Sequence, residues 1–285
     1  MSITLEDLSD PAPEPGPHDW NDEGVFHLPG LIPDEMIDAY EAEWTADNGF
    51  HSIEYEVTDE NPDPAGVIHA DRVGGYNETA YMRHPALMAI CTYQPLADAL
   101  EYLLGEPAGV HLNLTGWVST KRDWHQDTYL NPAHVGDYYA AVWVALGDVH
   151  PDSGPFEYVP GSHRWHELKQ EKVLRYVDGS DPEWPAHTER ILTPLVEAEI
   201  EKRGARRITY LPKRGDVLIW HGRLYHRGTV PNLPGAYRPA MIAHYSGINH
   251  RKDMPTAVQS EHGGWYFPIQ QQADLAHAAM MKRGV

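Results

Sequence analysis

The sequence predicts a mainly β fold with flanking helices (α+β), and three observations carry that expectation. From His111 onward, short strand-like segments recur between Gly, Pro and Asp, including HLNLTGWVS, YYAAVWVAL, FEYVP, RITYL, DVLIW and PAMIAHYSG. Many short strands of this kind point to a sandwich or a jelly roll. The first hundred residues instead carry apolar positions at helical spacing. Finally, 285 residues with 41% hydrophobic content and nine Trp suffice for a substantial core.

In chain order, residues 1–20 are rich in Pro and acid and are expected to form a mobile arm ahead of a single domain over 21–285. GVFHLPGLIPDEMIDAYEAEWTADNG reads as a short strand, a turn and a helix starting near Pro33, with Met36, Ile37, Tyr40 and Trp44 on one stripe. Residues 50–84 have weak periodicity and fit either a lid or a plain surface loop. A second helix covers HPALMAICTYQPLADALEYLLGE, broken or kinked at Pro95. Helical support is thus expected over about 33–104 and a barrel over about 107–250. The mixed, partly helical interval 165–206 reads as an insertion or lid at one mouth of that barrel.

Composition excludes several function classes. A formal charge of -20 opposes binding to phosphate backbones, so no nucleic acid partner is expected. The cluster Lys202, Arg203, Arg206, Arg207, Lys213 and Arg214 is an exception, read as a solvated helix end in preference to an anion-binding rim. With a mean hydropathy of -0.53 and no run of 18 apolar residues, no membrane span is expected. The acidic amino terminus does not resemble a leader, and a soluble cytoplasmic protein is the expectation. The single Cys91 lies on an apolar helical face and reads as a structural thiol.

The chemistry concentrates in WHQDTYLNP, GDVLIWHGRLYHRGTVPN and GAYRPAMIAHY. If residues 124–128 are extended, His125 and Asp127 project from one face of a strand. A second imidazole from a distant strand would complete a 2-His-1-carboxylate triad, which covers one face of an octahedral metal and leaves three positions open. His221 and His226 both offer that imidazole, but five residues apart they face opposite sides of a regular strand, so only one ligates. Arg238 stands at the start of an apolar strand, where an inward guanidinium would need a bound carboxylate. Arg223 and Arg227 compete with it. Asn113, Ser119 and Lys121 share one strand parity in HLNLTGWVSTK and either line a pocket together or form a solvated polar face.

Four blocks give the chain a resemblance to the phytanoyl-CoA dioxygenase family of Fe(II)/2-oxoglutarate-dependent oxygenases. They are WHQDTY at 124–129, YYAAVWVALGDV at 138–149, DSGPFEYVPGSHRW at 152–165, and PKRGDVLIWHGRLYHRGTVPN followed by YRPAMIAHY. The resemblance implies a double-stranded β-helix, a cupin-like jelly roll buttressed by helices. It implies Fe(II) on His125, Asp127 and His226, with His226 chosen because it lies between the strand GDVLIW and the PN turn. It also implies 2-oxoglutarate on Arg238 beside Trp143, with Asn113, Ser119 and Lys121 as further candidates for the co-substrate or pocket wall. The implied activity consumes O2, releases succinate and carbon dioxide, and hydroxylates or desaturates a small-molecule substrate. Related halogenases carry a small residue where Asp127 stands, so halogenation is not expected. Two alternatives are a cupin-like metal protein of non-oxidative function, an isomerase or lyase, and a non-catalytic binding module. The first would have no need of an inward Arg238, and the second would be expected to have lost a ligand.

Overall fold

Side-chain alternation along three neighbouring strands lets the chain build two apolar layers at once. The computed structural model describes residues 3–13, 20, 22–46, 75–76, 80–119, 121–233 and 236–269. Its elements begin with α1 (Leu5–Leu8), β1 (Ser9–Pro11), β2 (Val25–Leu28), α2 (Asp34–Ala46), β3 (Gly75–Tyr76), α3 (Pro85–Cys91) and α4 (Gln94–Leu104). The strands β4 (Ala108–Val118), β5 (Arg122–His125), β6 (Tyr139–Ala145), β7 (Phe156–Tyr158) and β8 (His166–Leu168) follow. After α5 (Gln170–Val173) and α6 (Trp184–Arg203) come β9 (Ile208–Thr209), β10 (Val217–His221), β11 (His226–Gly228), β12 (Tyr237–Gly247), β13 (Val258–Gln259) and β14 (Trp265–Tyr266).

The larger sheet runs β13–β14–β4–β12–β6–β10–β2, with β3 also on β4, and the smaller runs β5–β11–β7–β9. Together they form the jelly roll. The sequence of β6, YAAVWVA, is apolar throughout because the strand is buried on both faces. Ala140, Val142 and Val144 pack into the helical layer with Ile37, Tyr40, Leu87, Leu96 and Leu100. Ala141, Trp143 and Ala145 point the other way, against Phe156 and Tyr158 of the smaller sheet. β10 divides in the same manner, with Val217 and Ile219 toward the helices and Leu218 and Trp220 toward the interior.

The second helical stretch and the amino-terminal segment bear on the sequence expectations. Helices α3 and α4 separate at Thr92 and Tyr93, and Pro95 sits in the first turn of α4, where its missing N–H removes no helical bond. Of the break or kink expected at Pro95, the structure shows the break. Residues 3–11 of the segment expected as a mobile arm pack on the domain. Leu5 and Leu8 are buried against α6, Asp7 accepts the Thr4 backbone N–H at 2.9 Å, and β1 pairs antiparallel with β8. The Pro-rich composition comes mostly from residues further along, and it masked two leucines at helical spacing. Residues 14–19 of that arm, and 47–74 and 77–79 of the stretch expected as a lid or loop, lie outside the described residues.

The cation cluster is neutralised locally. Glu199 accepts Lys202 and Arg203, Glu23 pairs with Arg206, Glu197 with Arg207 and Asp148 with Lys213. Arg214 meets Asp34, Asp38 and Glu41. The interval 165–206 contributes α6, whose Leu192, Val196 and Ile200 pack with Trp124 and Tyr225 on the outside of the smaller sheet. None of the described helices is long and apolar enough to cross a membrane. Cys91 is buried, and burial pushes its thiol well above the usual range, as expected for a structural residue.

Docking of the amino-terminal segment has a measurable consequence. Leu8 is 1% exposed, so Leu8→Ala is expected to cost about 2–5 kcal/mol in urea unfolding. A loss within about 0.5 kcal/mol, typical of surface positions, would mean that the segment contributes nothing to stability.

Candidate metal centre

Antiparallel pairing of β5 with β11 places His125 directly opposite His226, and their ring centroids are 4.1 Å apart. The extended path expected over 124–128 does not continue past His125. Gln126 is pulled the other way, donating to the carbonyls of His166 and Arg223 and accepting the N–H of Leu168. Asp127 then takes a helical backbone conformation, φ -88° and ψ -23°, and its N–H bonds the Gly222 carbonyl at 2.8 Å. A turn, not strand alternation, therefore delivers the carboxylate.

The three side chains converge. Asp127 Oδ1 lies 3.7 Å from Nε2 of both His125 and His226, and the three potential ligand atoms lie within 4.8 Å of one another. Each ring is oriented by its other nitrogen: His125 Nδ1 meets the Asp123 carbonyl at 2.8 Å and His226 Nδ1 the Leu224 carbonyl at 2.9 Å. Carbonyls only accept, so both Nδ1 atoms carry hydrogen and both Nε2 lone pairs face the centre. Trp220 donates its indole N–H to Asp127 Oδ2 at 2.9 Å, leaving Oδ1 for a metal. Burial holds both imidazoles below their ordinary pKa, in the neutral form that binds metal. The buried Nε2 of His125 has no hydrogen-bond partner. Two imidazoles and one hard carboxylate fit Fe(II).

Arg238 stands in the same cavity. It is 7% exposed, its Nε and Nη1 have no partner, and its guanidinium lies 4.7 Å from the centroid of the Trp143 ring. Burial pushes its pKa down to about 10, which leaves it charged at neutral pH. The competing arginines are already engaged. Arg223 donates to the His163 carbonyl and Asp137, and Arg227 to Glu157 and Glu197. His221 lies outside the triad, accepting the Arg223 N–H on Nδ1.

The three candidates from β4 and its end separate. Lys121 lines the cavity, which has a volume of about 1010 Å³, and has a left-handed backbone, φ 47°. Asn113 does not reach it: its Oδ1 accepts the Tyr81 N–H at 3.2 Å, on the side where Thr115 meets Tyr40 of α2. The residues of opposite parity, Leu112 and Leu114, line the cavity instead. Ser119 is spent on the loop, donating to the Thr229 carbonyl and accepting the Lys121 N–H.

The sequence profile of phytanoyl-CoA dioxygenase (PhyH) matches residues 20–240. The chain belongs to this family. Among solved structures it is similar to the non-heme alpha ketoglutarate dependent epimerase SnoN from nogalamycin biosynthesis, with 20% identity over 80% of each chain and a TM-score of 0.57. EctD from S. alaskensis, in its apoform, matches with 17% identity over 85% of each chain and a TM-score of 0.58. The carbocyclase SnoK, also from nogalamycin biosynthesis, matches with 19% identity over 93% of this chain and 99% of its own, at a TM-score of 0.58. These likenesses establish the fold. No curated protein matches the chain.

Sequence reasoning missed a second polar group on the cavity wall, formed by His111, Asn131, Tyr139, His244 and Arg251. His244 shares strand parity with Arg238 in an otherwise apolar run, and that signal was available.

The geometry separates the two histidines experimentally. His226→Ala should abolish retention of Fe(II), measured by metal analysis after desalting, and His221→Ala should retain it. Trp220→Phe should weaken metal binding about 10–100-fold by freeing Asp127 Oδ2. Loss of iron in the His221 variant alone would refute the assignment.

Proposed function

We propose that the protein is an Fe(II)/2-oxoglutarate-dependent dioxygenase that hydroxylates or desaturates a small-molecule substrate. The observation that carries this is the coexistence, in one cavity, of a His-Asp-His centre and a buried arginine with unmet donors. His125, Asp127 and His226 would hold the iron on one face and leave room for a bidentate keto acid and dioxygen. When bound, iron and 2-oxoglutarate supply oxidative chemistry in which dioxygen is reduced and the keto acid leaves as succinate and carbon dioxide. Structures of the same fold support the choice of co-substrate: EctD has been solved with 2-oxoglutarate and 5-hydroxyectoine, and SnoN with Fe3+ and alpha ketoglutarate.

The protein's own part is positioning. Arg238 would take the far carboxylate of 2-oxoglutarate, and the face of Trp143 fixes the guanidinium plane through a cation–π contact. The bond from Trp220 occupies Oδ2 of Asp127, which would leave Oδ1 as the oxygen offered to the metal. Leu112, Leu114 and Ile242 line the cavity with aliphatic surface that excludes water and holds apolar parts of a substrate. A non-oxidative cupin-like activity would give Arg238 no anion to bind.

Anaerobic titration with Fe(II) and then 2-oxoglutarate is expected to give one equivalent of each and a visible charge-transfer band. Arg238→Gln should weaken 2-oxoglutarate by about 30-fold or more, from the roughly 2–5 kcal/mol lost when a buried charge pair is broken, with iron affinity retained. Iron-loaded protein that binds no 2-oxoglutarate would refute the proposal.

A further inference from the structure

The cavity holds a second buried guanidinium, with partners of its own. Arg251 is 8% exposed and reaches Ser246 on β12, eight residues beyond Arg238. The Arg238 guanidinium lies over Trp143, which pairs with Ile242, and Ser246 is four residues of strand beyond Ile242, roughly 13 Å at about 3.3 Å per residue. Arg251 Nη1 donates to Asn131 at 2.7 Å and to Ser246 at 3.3 Å. Its Nε lies 3.3 Å from Asp253 but is not aligned to hydrogen-bond with it, and burial lowers its pKa more than Asp253 raises it. Asp253 also serves His134 at 2.9 Å. Beside this cation, His244 bonds the Tyr139 hydroxyl through Nδ1, and its Nε2 has no partner among the described residues.

We infer that the primary substrate is a small organic acid with an apolar body, whose carboxylate is held by Arg251 and His244 and not by Arg238. The inference rests on the function proposed above, in which substrate and co-substrate share this cavity. One guanidinium partly offset by Asp253, next to an imidazole that burial keeps neutral, matches a single negative charge better than a phosphate ester. The neighbouring wall is aliphatic, formed by Leu112, Leu114, Ile242 and Met254. The rim cations are weaker anchors: Lys121 and Arg190 are exposed to solvent screening, and Arg122 is held by Glu189 at 2.8 Å. The cavity, at about 1010 Å³, is at the top of the range for small-molecule sites, about 300–1,000 Å³, and has room for both acids.

The test is calorimetry on anaerobic Fe(II)-loaded protein saturated with 2-oxoglutarate, using a ladder of straight and branched aliphatic monocarboxylates and the primary amide of each. Saturation keeps the probes off Arg238. The best acid should bind about tenfold or more tighter than its amide, the gain expected of charge-assisted hydrogen bonds. Arg251→Gln should abolish that preference and Arg251→Lys should restore most of it, with 2-oxoglutarate affinity within about twofold in both, as for independent sites. Should the Gln variant fail to fold, the wild-type preference and the Lys variant decide. The proposal is overturned if no acid binds, if acid and amide bind alike, or if the preference survives Arg251→Gln. Loss of iron from the Arg251 variants with the preference intact would mean that Arg251 serves only to brace the Asn131 turn beside Asp127. Failure of wild-type protein to bind 2-oxoglutarate at all would instead remove the functional proposal beneath.

Discussion

The pairing of β5 with β11 is the interaction on which the site depends. It is a short ladder, His226 opposite His125 and Gly228 opposite Arg122 with an irregularity between them, yet it places two imidazoles from positions about a hundred residues apart in contact. Packing from both sides holds it. Trp124 and Tyr225, neighbours of the two histidines, face α6 and the amino-terminal segment, and Trp124 donates its indole N–H to Glu197 of α6. Phe156 of β7 and Trp220 of β10 lie against the ring of His226 from the interior. The fold is thus a device for fixing one register. A slip of one residue in either strand would turn that strand's imidazole to the outside.

Burial then determines the electrostatics. Removing imidazoles from water favours their neutral form, which suits ligation, and removing a guanidinium from water creates a demand for an anion. The cavity uses both effects, with neutral histidines at the candidate metal centre and buried arginines on its wall. The net charge of -20 on the whole chain makes the placement of these few cations more selective, because the cluster at 202–214 is consumed by local acids.

The larger part of the architecture was legible in the sequence because burial on both faces leaves long apolar runs such as VWVAL and DVLIW, and because Gly, Pro and Asp mark the turns. The ligands were legible as types and order. Their delivery was not: alternation predicts that His125 and Asp127 share a strand face, whereas the backbone turns at Asp127, and only the bonds of Gln126 and Gly222 reveal why. Strand parity also failed to say which side of β4 faces the cavity, so Asn113 was grouped with Lys121 although it packs toward the helices. Composition misled at the amino terminus, where two leucines outweighed the surrounding acids and prolines. His244 and Arg251 went unremarked because each lies in a segment whose apolar or turn-like neighbours dominate the pattern.

The central claim is that one cavity holds a metal on His125, Asp127 and His226 and directs a dicarboxylic acid from that metal to Arg238. A crystal structure of the protein grown anaerobically with Fe(II) and 2-oxoglutarate tests it most directly. The account predicts anomalous density for iron bonded to Nε2 of both histidines and to one oxygen of Asp127, with the keto acid chelating it and its far carboxylate against Arg238 beside Trp143. Iron bound through His221, or 2-oxoglutarate lying away from Arg238, would contradict it.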